Sequence, residues 1–263
     1  MIHVIIAESR KLRRPTLLFS TMAITVVLSG LFTSLLFLLI NSKDGNGKRG
    51  ELISPATLSL PTGVVTGFTS TATLLGIVAL CIFAAQTAQE YTFGTLRNLL
   101  VRQPSRMKIL GGKYISMIIF AVVMDVLSLI ISVIASYALA GHAHVTTVLW
   151  SSGAGYREIG HAFLNVLITT LGFGTLGMIL GLALRSPISS IAIGVIWVLI
   201  VENLLALAVK KSGPWLPGYL ISTVAEGGSV DISYQRGLLL GGAYLLVGGA
   251  IVSYLFKKRD VSN

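Results

Sequence analysis

EYTFGTLRNLLVRQPSRMKILGGK, residues Glu90–Lys113, decides the fold of this chain because it is a basic island between two long apolar runs. The run before it, Val64–Gln86, has no charged residue, and the run after it, Tyr114–Ala140, has one. An apolar run of about 20 residues is long enough to cross a bilayer as an α-helix. We therefore predict two membrane-spanning helices joined by a basic loop over residues 88–113.

The composition extends this prediction to the whole chain. Hydrophobic residues make up 54% of the sequence and charged residues only 11%, whereas about a quarter of the residues of a typical soluble domain are charged. We predict a single all-α membrane domain over residues 1–263, with six transmembrane helices. The first is too long for a signal-peptide core, so we expect it to be retained. The predicted spans are 15–40, 64–86, 114–140, 162–184, 188–209 and 237–256.

The distribution of basic residues predicts the orientation. Cytoplasmic loops of membrane proteins are enriched in Lys and Arg, and such residues also contact anionic lipids. If the N-terminus is inside, 13 of the 20 lysines and arginines lie on the cytoplasmic side and seven lie in the predicted outer connections. The outer seven are Lys43, Lys48, Arg49, Arg157, Lys210, Lys211 and Arg236. We therefore expect a multi-pass protein of the bacterial plasma membrane with both termini in the cytoplasm. The basic residues of the cytoplasmic loops account for the net charge of +10. We therefore expect no nucleic-acid partner.

Two segments outside the spans have helical character. Residues 1–14, apolar at one end and basic at the other, predict an interfacial helix that lies flat on the inner surface before Pro15. The connection 210–236 contains the stretch Gly218–Ala225, which is too apolar for a free loop. We predict a short outer or re-entrant helix there, before the last span.

The basic loop carries a recognisable motif. Phe93 and three leucines fall on one helical face, and we expect Glu90 and Arg97 to interact on the opposite face. Gly94 favours a bend. The order Glu90-x3-Gly94-Thr95-Leu96-Arg97-x-Leu99-Leu100, then Pro104-Ser105-Arg106 and a downstream Gly-Lys, resembles the coupling loop of the permease subunits of ABC-2-type ABC transporters.

This resemblance implies a function and two protein partners. A separate ABC ATPase subunit would bind the coupling helix, and a second permease chain would complete a dimer that exports a substrate. Nucleotide and magnesium would be bound by the ATPase subunit, because Gly111-Gly112-Lys113 lacks the rest of a phosphate-binding loop. We predict no enzyme activity, catalytic residue or cofactor in this chain. The residues assigned to the ATPase contact and its support are Glu90, Gly94, Thr95, Leu96, Arg97 and Arg106.

Two carboxylates lie inside predicted spans at similar depth, Asp125 in the third and Glu202 in the fifth. An intramembrane carboxylate is costly, so it faces a polar interior or pairs. One interpretation places Asp125, Glu202 and the neighbouring Asn203 along a substrate path. The alternative is that Asp125 joins helices by a hydrogen bond to Ser or Thr, while Glu202 snorkels outward with Asn203.

Other functions remain open from the sequence. One alternative is an ion-coupled secondary transporter, in which Asp125 and Glu202 would serve as a proton relay. Another is a non-transporting membrane immunity or scaffold protein, which would need neither carboxylate. His142, His144 and His161 lack a nearby Cys or carboxylate set, so we predict no metal site. The Ser and Thr residues of the spans look scattered and give no nucleophilic triad. The glycines of the fourth span predict close helix packing, and they are Gly172, Gly174, Gly177 and Gly181.

Overall fold

The computed structural model describes residues 2–40, 54–95, 105–209 and 212–258. Within these ranges the fold is helical. The main helices are α1 (Ile2–Leu12), α2 (Pro15–Leu39), α3 (Gly63–Thr92), α4 (Arg106–Ala140), α5 (Gly153–Leu184), α6 (Pro187–Ala208), α7 (Pro217–Ala225) and α8 (Tyr234–Lys258). Of these, α1 and α7 are short, and the connections contain a single helical turn at Pro55–Leu58 and a 3-10 turn at Gly213–Trp215.

The six predicted spans are confirmed. Helices α2, α3, α4, α5, α6 and α8 are each long and apolar enough to cross a membrane. Three of them extend beyond the apolar runs by more than one helical turn: α3 continues to Thr92, α4 begins at Arg106, and α5 begins at Gly153. These extra turns contain polar and basic residues. The helices continue through them because backbone hydrogen bonding does not depend on hydropathy.

Short connections bring both described ends of the chain to the same end of the bundle. Helices α5 and α6 are joined by Arg185, in the left-handed conformation (φ 57°), and by Ser186, whose side chain caps α6. The two helices therefore form a tight hairpin. Arg106 at the start of α4 donates to the carbonyl of Phe256 near the end of α8 (2.8 Å). We call this end, with α1 and the last turn of α3, the basic end, and the opposite one the far end.

The glycine stripe of α5 is packed as predicted. Gly177 faces the backbone of Leu80 on α3, and a Cβ at this position would lie closer than 3.0 Å to the Leu80 carbonyl. Gly174 and Gly181 face Phe83 and Ala84 of the same helix. Small residues allow two membrane helices to approach this closely, so α3 and α5 form the central pair of the bundle.

The interpretation of the Ser and Thr residues as scattered is wrong. Those of α2 and α4 recur at every fourth position and are buried. The hydroxyls of Ser29 and Ser128 are hydrogen-bonded between the two helices (2.6 Å), and Thr33 lies against Gly67 of α3. A spacing of four nearly matches the helical period, which places the hydroxyls in one stripe on each helix. The stripes are Thr21, Thr25, Ser29 and Thr33 on α2, and Ser128, Ser132 and Ser136 on α4.

The predicted short helix before the last span is present as α7. Its Leu220 and Val224 are buried, and it packs against α5 and α8. Thr169 of α5 donates to the carbonyl of Ile221 (3.0 Å). Helix α7 is therefore a fixed part of the far end.

The glycine contact gives a testable expectation. Gly177→Ala should lower the free energy of unfolding by about 1–3 kcal/mol, because an added methyl group must displace the backbone of α3. Denaturant titration in mixed micelles measures this change. Gly160→Ala is the matched control on the same helix, since nothing lies within 4 Å of its added Cβ. Equal stability of the two variants would contradict the close contact of α3 with α5.

Candidate functional site

A cluster of four charged side chains joins three helices at the basic end. Lys113 of α4 contacts Glu8 of α1 (2.6 Å) and Glu90 of α3 (2.8 Å). Lys11 of α1 contacts the same two carboxylates and lies 3.0 Å from Glu90. Each cation therefore lies between two anions and each anion between two cations. We call these four residues the ionic cluster.

The ionic cluster is largely removed from solvent. Glu8, Glu90 and Lys113 are 4%, 7% and 2% exposed, while Lys11 is partly exposed. Lys113 also donates to the carbonyl of Gln86 (3.2 Å). Taking charges out of water is costly, and removal of one partner leaves the others uncompensated. The four side chains therefore stabilise the bundle only as a set.

Helix α1 reaches the cluster by packing closely on α4. A Cβ at Gly112 would lie 2.7 Å from Val4, so only glycine admits α1 at this distance. The hydroxyl of Ser116 donates to the carbonyl of Ile5 (3.0 Å). The sequence Gly112-Lys113, which resembles part of a phosphate loop, therefore provides a docking surface and a buried cation for α1.

The predicted N-terminal helix is confirmed, and the structure adds a contact that sequence reasoning missed. One face of α1 carries Glu8 and the buried Leu12 and docks on the bundle, while Ile2 and Ile6 on another face are exposed. We expected Glu90 to interact with Arg97. Arg97 and Leu96 lie outside the described residues, and the structure gives Glu90 two lysine partners. One feature of the sequence could have indicated this pairing: Glu8 and Glu90 are acidic residues in two segments that are otherwise basic.

The chain leaves α3 through a glycine bend. The N–H of Phe93 donates to the carbonyl of Gln89 (2.9 Å), and Gly94 follows with φ +62°. A glycine in this left-handed conformation commonly ends a helix, so the predicted bend at Gly94 is confirmed. Phe93 is 71% exposed and precedes the bend, and Thr95 just after it is also exposed.

Beyond this point the predicted coupling helix falls mostly outside the described residues, which resume at Ser105. Arg106, assigned from the sequence to the ATPase contact and its support, donates to Phe256, and its guanidinium lies 5.9 Å from the centre of that ring. It therefore connects the start of α4 to α8.

Asp125 is fully buried within the span α4. The hydroxyl of Thr170 on α5 donates to its Oδ1 atom (3.1 Å). This is the predicted hydrogen bond to a neighbouring helix. Oδ2 is also buried, and within the described residues it has no hydrogen-bond partner. Asp125 thus contributes to the contact between α4 and α5 with only one of its two oxygens.

Glu202 makes contacts that neither interpretation of the sequence included. The backbone N–H groups of Gly218 and Tyr219 donate to its carboxylate (2.8 and 3.0 Å), and so does the indole of Trp197 (2.8 Å). The first two belong to the N-terminal turn of α7. Carboxylates are stabilised at a helix N-terminus by free N–H groups and the helix dipole. Glu202 is therefore a cap supplied to α7 by another helix.

The snorkelling interpretation of Glu202 is wrong, because its side chain is 1% exposed. Gly218 has no side chain, and a Cβ there would lie 2.5 Å from the carboxylate. A π-helical turn, Trp197–Val201, directly precedes Glu202 and places the indole beside the carboxylate.

Two of the three predicted path residues lie together. Glu202 and Asn203 border a cavity of about 200 Å³, and Asp125 does not line it. Asn203 accepts a hydrogen bond from the hydroxyl of Tyr219 (3.0 Å). Metal ligation has no geometric basis in the described ranges, where no group of three His, Cys, Asp or Glu side chains is placed to hold an ion.

The ionic cluster predicts a large effect of neutralising Lys113. Lys113→Met should lower the free energy of unfolding by about 3–5 kcal/mol, since Glu8 and Glu90 lose a buried partner. Lys108→Met is the control, because Lys108 is exposed on the first turns of the same helix. In a double-mutant cycle, Glu8→Gln and Lys113→Met together should cost less than the sum of the single changes. Additive losses would contradict direct coupling.

The same cluster predicts how docking of α1 depends on pH. Burial alone would raise the pKa of Glu8, but Lys113 and Lys11 outweigh it and hold the pKa below the ordinary value of 4.5. Burial would lower the pKa of Lys11, but Glu90 and Glu8 raise it above 10.5. Glu8 therefore stabilises docking above pH 4.5 and loses this effect as the pH falls through its lowered pKa. The contribution of Lys11 is full below pH 10.5 and is lost as the pH rises through its raised pKa.

Hydrogen exchange of the amides of residues 2–12, corrected for intrinsic rates, measures this docking. Protection should decrease at acidic pH in the wild-type chain. Glu8→Gln should start from lower protection and change less over the same pH range. Identical pH profiles of the two chains would show that Glu8 does not control docking.

Comparison with known proteins places this chain in a family without an assigned activity. Residues 62–262 match the family described as "Protein of unknown function (DUF2705)". The chain is also similar to "Uncharacterized protein YhcI" of Bacillus subtilis (strain 168), with 24% identity over 207 residues. That match covers 72% of this chain and 66% of the relative, just under two thirds of its length. Because the family match extends over most of the chain, from α3 to beyond α8, this protein belongs to the DUF2705 family.

Proposed function

We propose that this chain is the permease subunit of an ATP-driven ABC-2-type exporter. It works with a separate ABC ATPase subunit and a second permease chain to move a substrate across the plasma membrane. The observation that carries this proposal is the ionic cluster at the base of the loop between α3 and α4. It anchors the last turn of α3 to α1 and α4, next to the Gly94–Arg106 motif.

A coupling loop must be attached to rigid helices, because a flexible attachment would absorb the displacement instead of transmitting it. Glu90 anchors the side of the loop that leaves α3, and it lies four residues before Gly94. Arg106 anchors the other side to α8. A force on the loop therefore acts on α1, α3, α4 and α8 together. The close contact of α3 with α5 extends the same motion to the centre of the bundle.

In this proposal the basic end faces the cytoplasm. The exposed apolar residues of α1, Ile2 and Ile6, then lie at the anionic lipid surface. So do Arg10 of α1 and the residues Arg13 and Arg14 that join α1 to α2. ATP and magnesium bind to the partner subunit, whose closure pushes on the loop. The chain itself contributes rearrangement and no covalent chemistry.

Ion-coupled transport through Asp125 and Glu202 is the weaker alternative. A relay residue must exchange protons and partners, but Glu202 accepts three hydrogen bonds as the cap of α7. The two carboxylates also share no hydrogen-bond partner among the described residues. Asp125, which has an unbonded oxygen, is the better of the two for contact with a substrate.

ATP hydrolysis by a reconstituted complex tests the proposal. The purified chain alone should not hydrolyse ATP, and a complex with an ABC ATPase encoded beside its gene should. Arg97→Glu should reduce recovery of the ATPase subunit and hydrolysis by the complex about tenfold, the effect of losing a charged contact. Arg157→Glu makes the same charge change on an exposed residue at the far end and should behave as wild type.

Wild-type assembly and hydrolysis in the Arg97→Glu chain would show that this loop is not the coupling element. Exchange of the two charges, Glu90→Arg with Arg97→Glu, is a poor test of their interaction. An arginine at position 90 would lie against Lys11 and Lys113, so the ionic cluster would be lost whatever its effect on Arg97.

A further inference from the structure

The far end contains a cavity of about 710 Å³ that the proposed function does not use. It lies between the end of α6, helix α7 and the start of α8. Its walls combine two aromatic side chains, Trp215 and Tyr219, with two carboxylates, Glu226 and Asp231. Ligand sites typically have volumes of about 300–1,000 Å³ and a few polar groups on an apolar wall.

The walls of this far-end cavity are held in place by the surrounding structure. Glu202 fixes the N-terminal turn of α7 through Gly218 and Tyr219. The Tyr219 hydroxyl is bound to Asn203. After α7 the chain turns at two glycines with positive φ, and the N–H of Ser229 donates to the carbonyl of Ile232 (2.8 Å). The cavity is therefore preformed.

Among the described residues, the lining of the cavity carries more negative than positive charge. These charged residues are two carboxylates, Glu226 and Asp231, and one basic residue, Arg236. The ion pairs found among the described residues all belong to the ionic cluster at the basic end, so neither carboxylate is neutralised by them. Although the Glu226 residue as a whole is exposed, desolvation at the cavity wall raises the pKa of its carboxylate.

One aromatic side chain of the cavity contacts a basic side chain of the same protein. The guanidinium of Arg236 lies 4.9 Å from the centre of the Trp215 ring, within the range of a cation–π contact. Trp215 is 61% exposed, so part of the indole remains accessible to a second group. The charge of Arg236 offsets only one of the two carboxylates of the described lining, so the remaining negative charge favours a ligand of positive charge.

We propose that the far-end cavity binds an organic cation, an ammonium or guanidinium group on an apolar body. The charged group lies near Glu226 and Asp231, and the apolar body packs on Trp215 and Tyr219. This site is independent of the ATPase coupling proposed above. If the basic end is cytoplasmic, the cavity opens to the outside.

Binding to the purified chain in lipid nanodiscs, measured by isothermal titration calorimetry, tests the site without any transport or ATPase assay. Three probes of similar size separate charge from shape: benzyltrimethylammonium, benzyl alcohol and benzenesulfonate. Saturable binding at one site is expected for the cation, with weaker or undetectable binding of the other two. The affinity for the cation should also decrease as salt is added.

Variants locate this binding in the cavity. Glu226→Gln combined with Asp231→Asn should weaken cation binding about tenfold or more, since two charged acceptors are lost. Both residues are exposed, so the fold should be kept. Glu158→Gln, at the far end but outside the cavity, should bind as wild type. Ser222→Phe should also weaken binding, because the larger side chain fills part of the cavity without changing its charge.

Three results would each overturn the proposal. They are the absence of saturable binding by benzyltrimethylammonium, preferential binding of benzenesulfonate, and equal affinity of the wild-type chain and the double carboxylate variant. The last would place the cation elsewhere on the protein or in the lipid.

Discussion

The arrangement of the basic end depends on the pairing of Glu8 and Glu90 with Lys11 and Lys113. Charges in a membrane-embedded bundle are retained only when their partners are complete. This requirement fixes α1 against α4 and fixes the last turn of α3 against both. The loop that follows Gly94 therefore begins on a rigid base, which is the property that a force-transmitting element needs.

The four carboxylates that are buried in the described part of the chain are stabilised in three different ways. Glu8 and Glu90 pair with lysines, Asp125 accepts one hydrogen bond from Thr170, and Glu202 accepts the N–H groups at the start of α7. The ionic cluster serves the attachment of the loop, and the cap on α7 serves the shape of the far-end cavity. Of the four, Asp125 is the one with a fully buried oxygen that has no hydrogen-bond partner among the described residues.

Close backbone approach supports both ends of the bundle. Gly177 brings α5 onto α3, Gly112 admits α1 onto α4, and Gly218 leaves room for the carboxylate of Glu202. At each position a methyl group would collide with a neighbouring helix or its side chain. Helices joined in this way move as units, so rearrangement in such a bundle is expected at the connections between them.

The sequence by itself determined the six spans, the short helices α1 and α7, the bend at Gly94 and the packing role of the α5 glycines. These features depend on local hydropathy, periodicity and backbone preference, which are properties of neighbouring residues. Only the tertiary structure decided that Glu90 pairs with Lys11 and Lys113, that Glu202 caps α7, and that Trp215 and Glu226 share a cavity. The partners of these contacts belong to different helices or connections, and several alternatives satisfy the same charges. Which one forms is decided by how closely the helices pack.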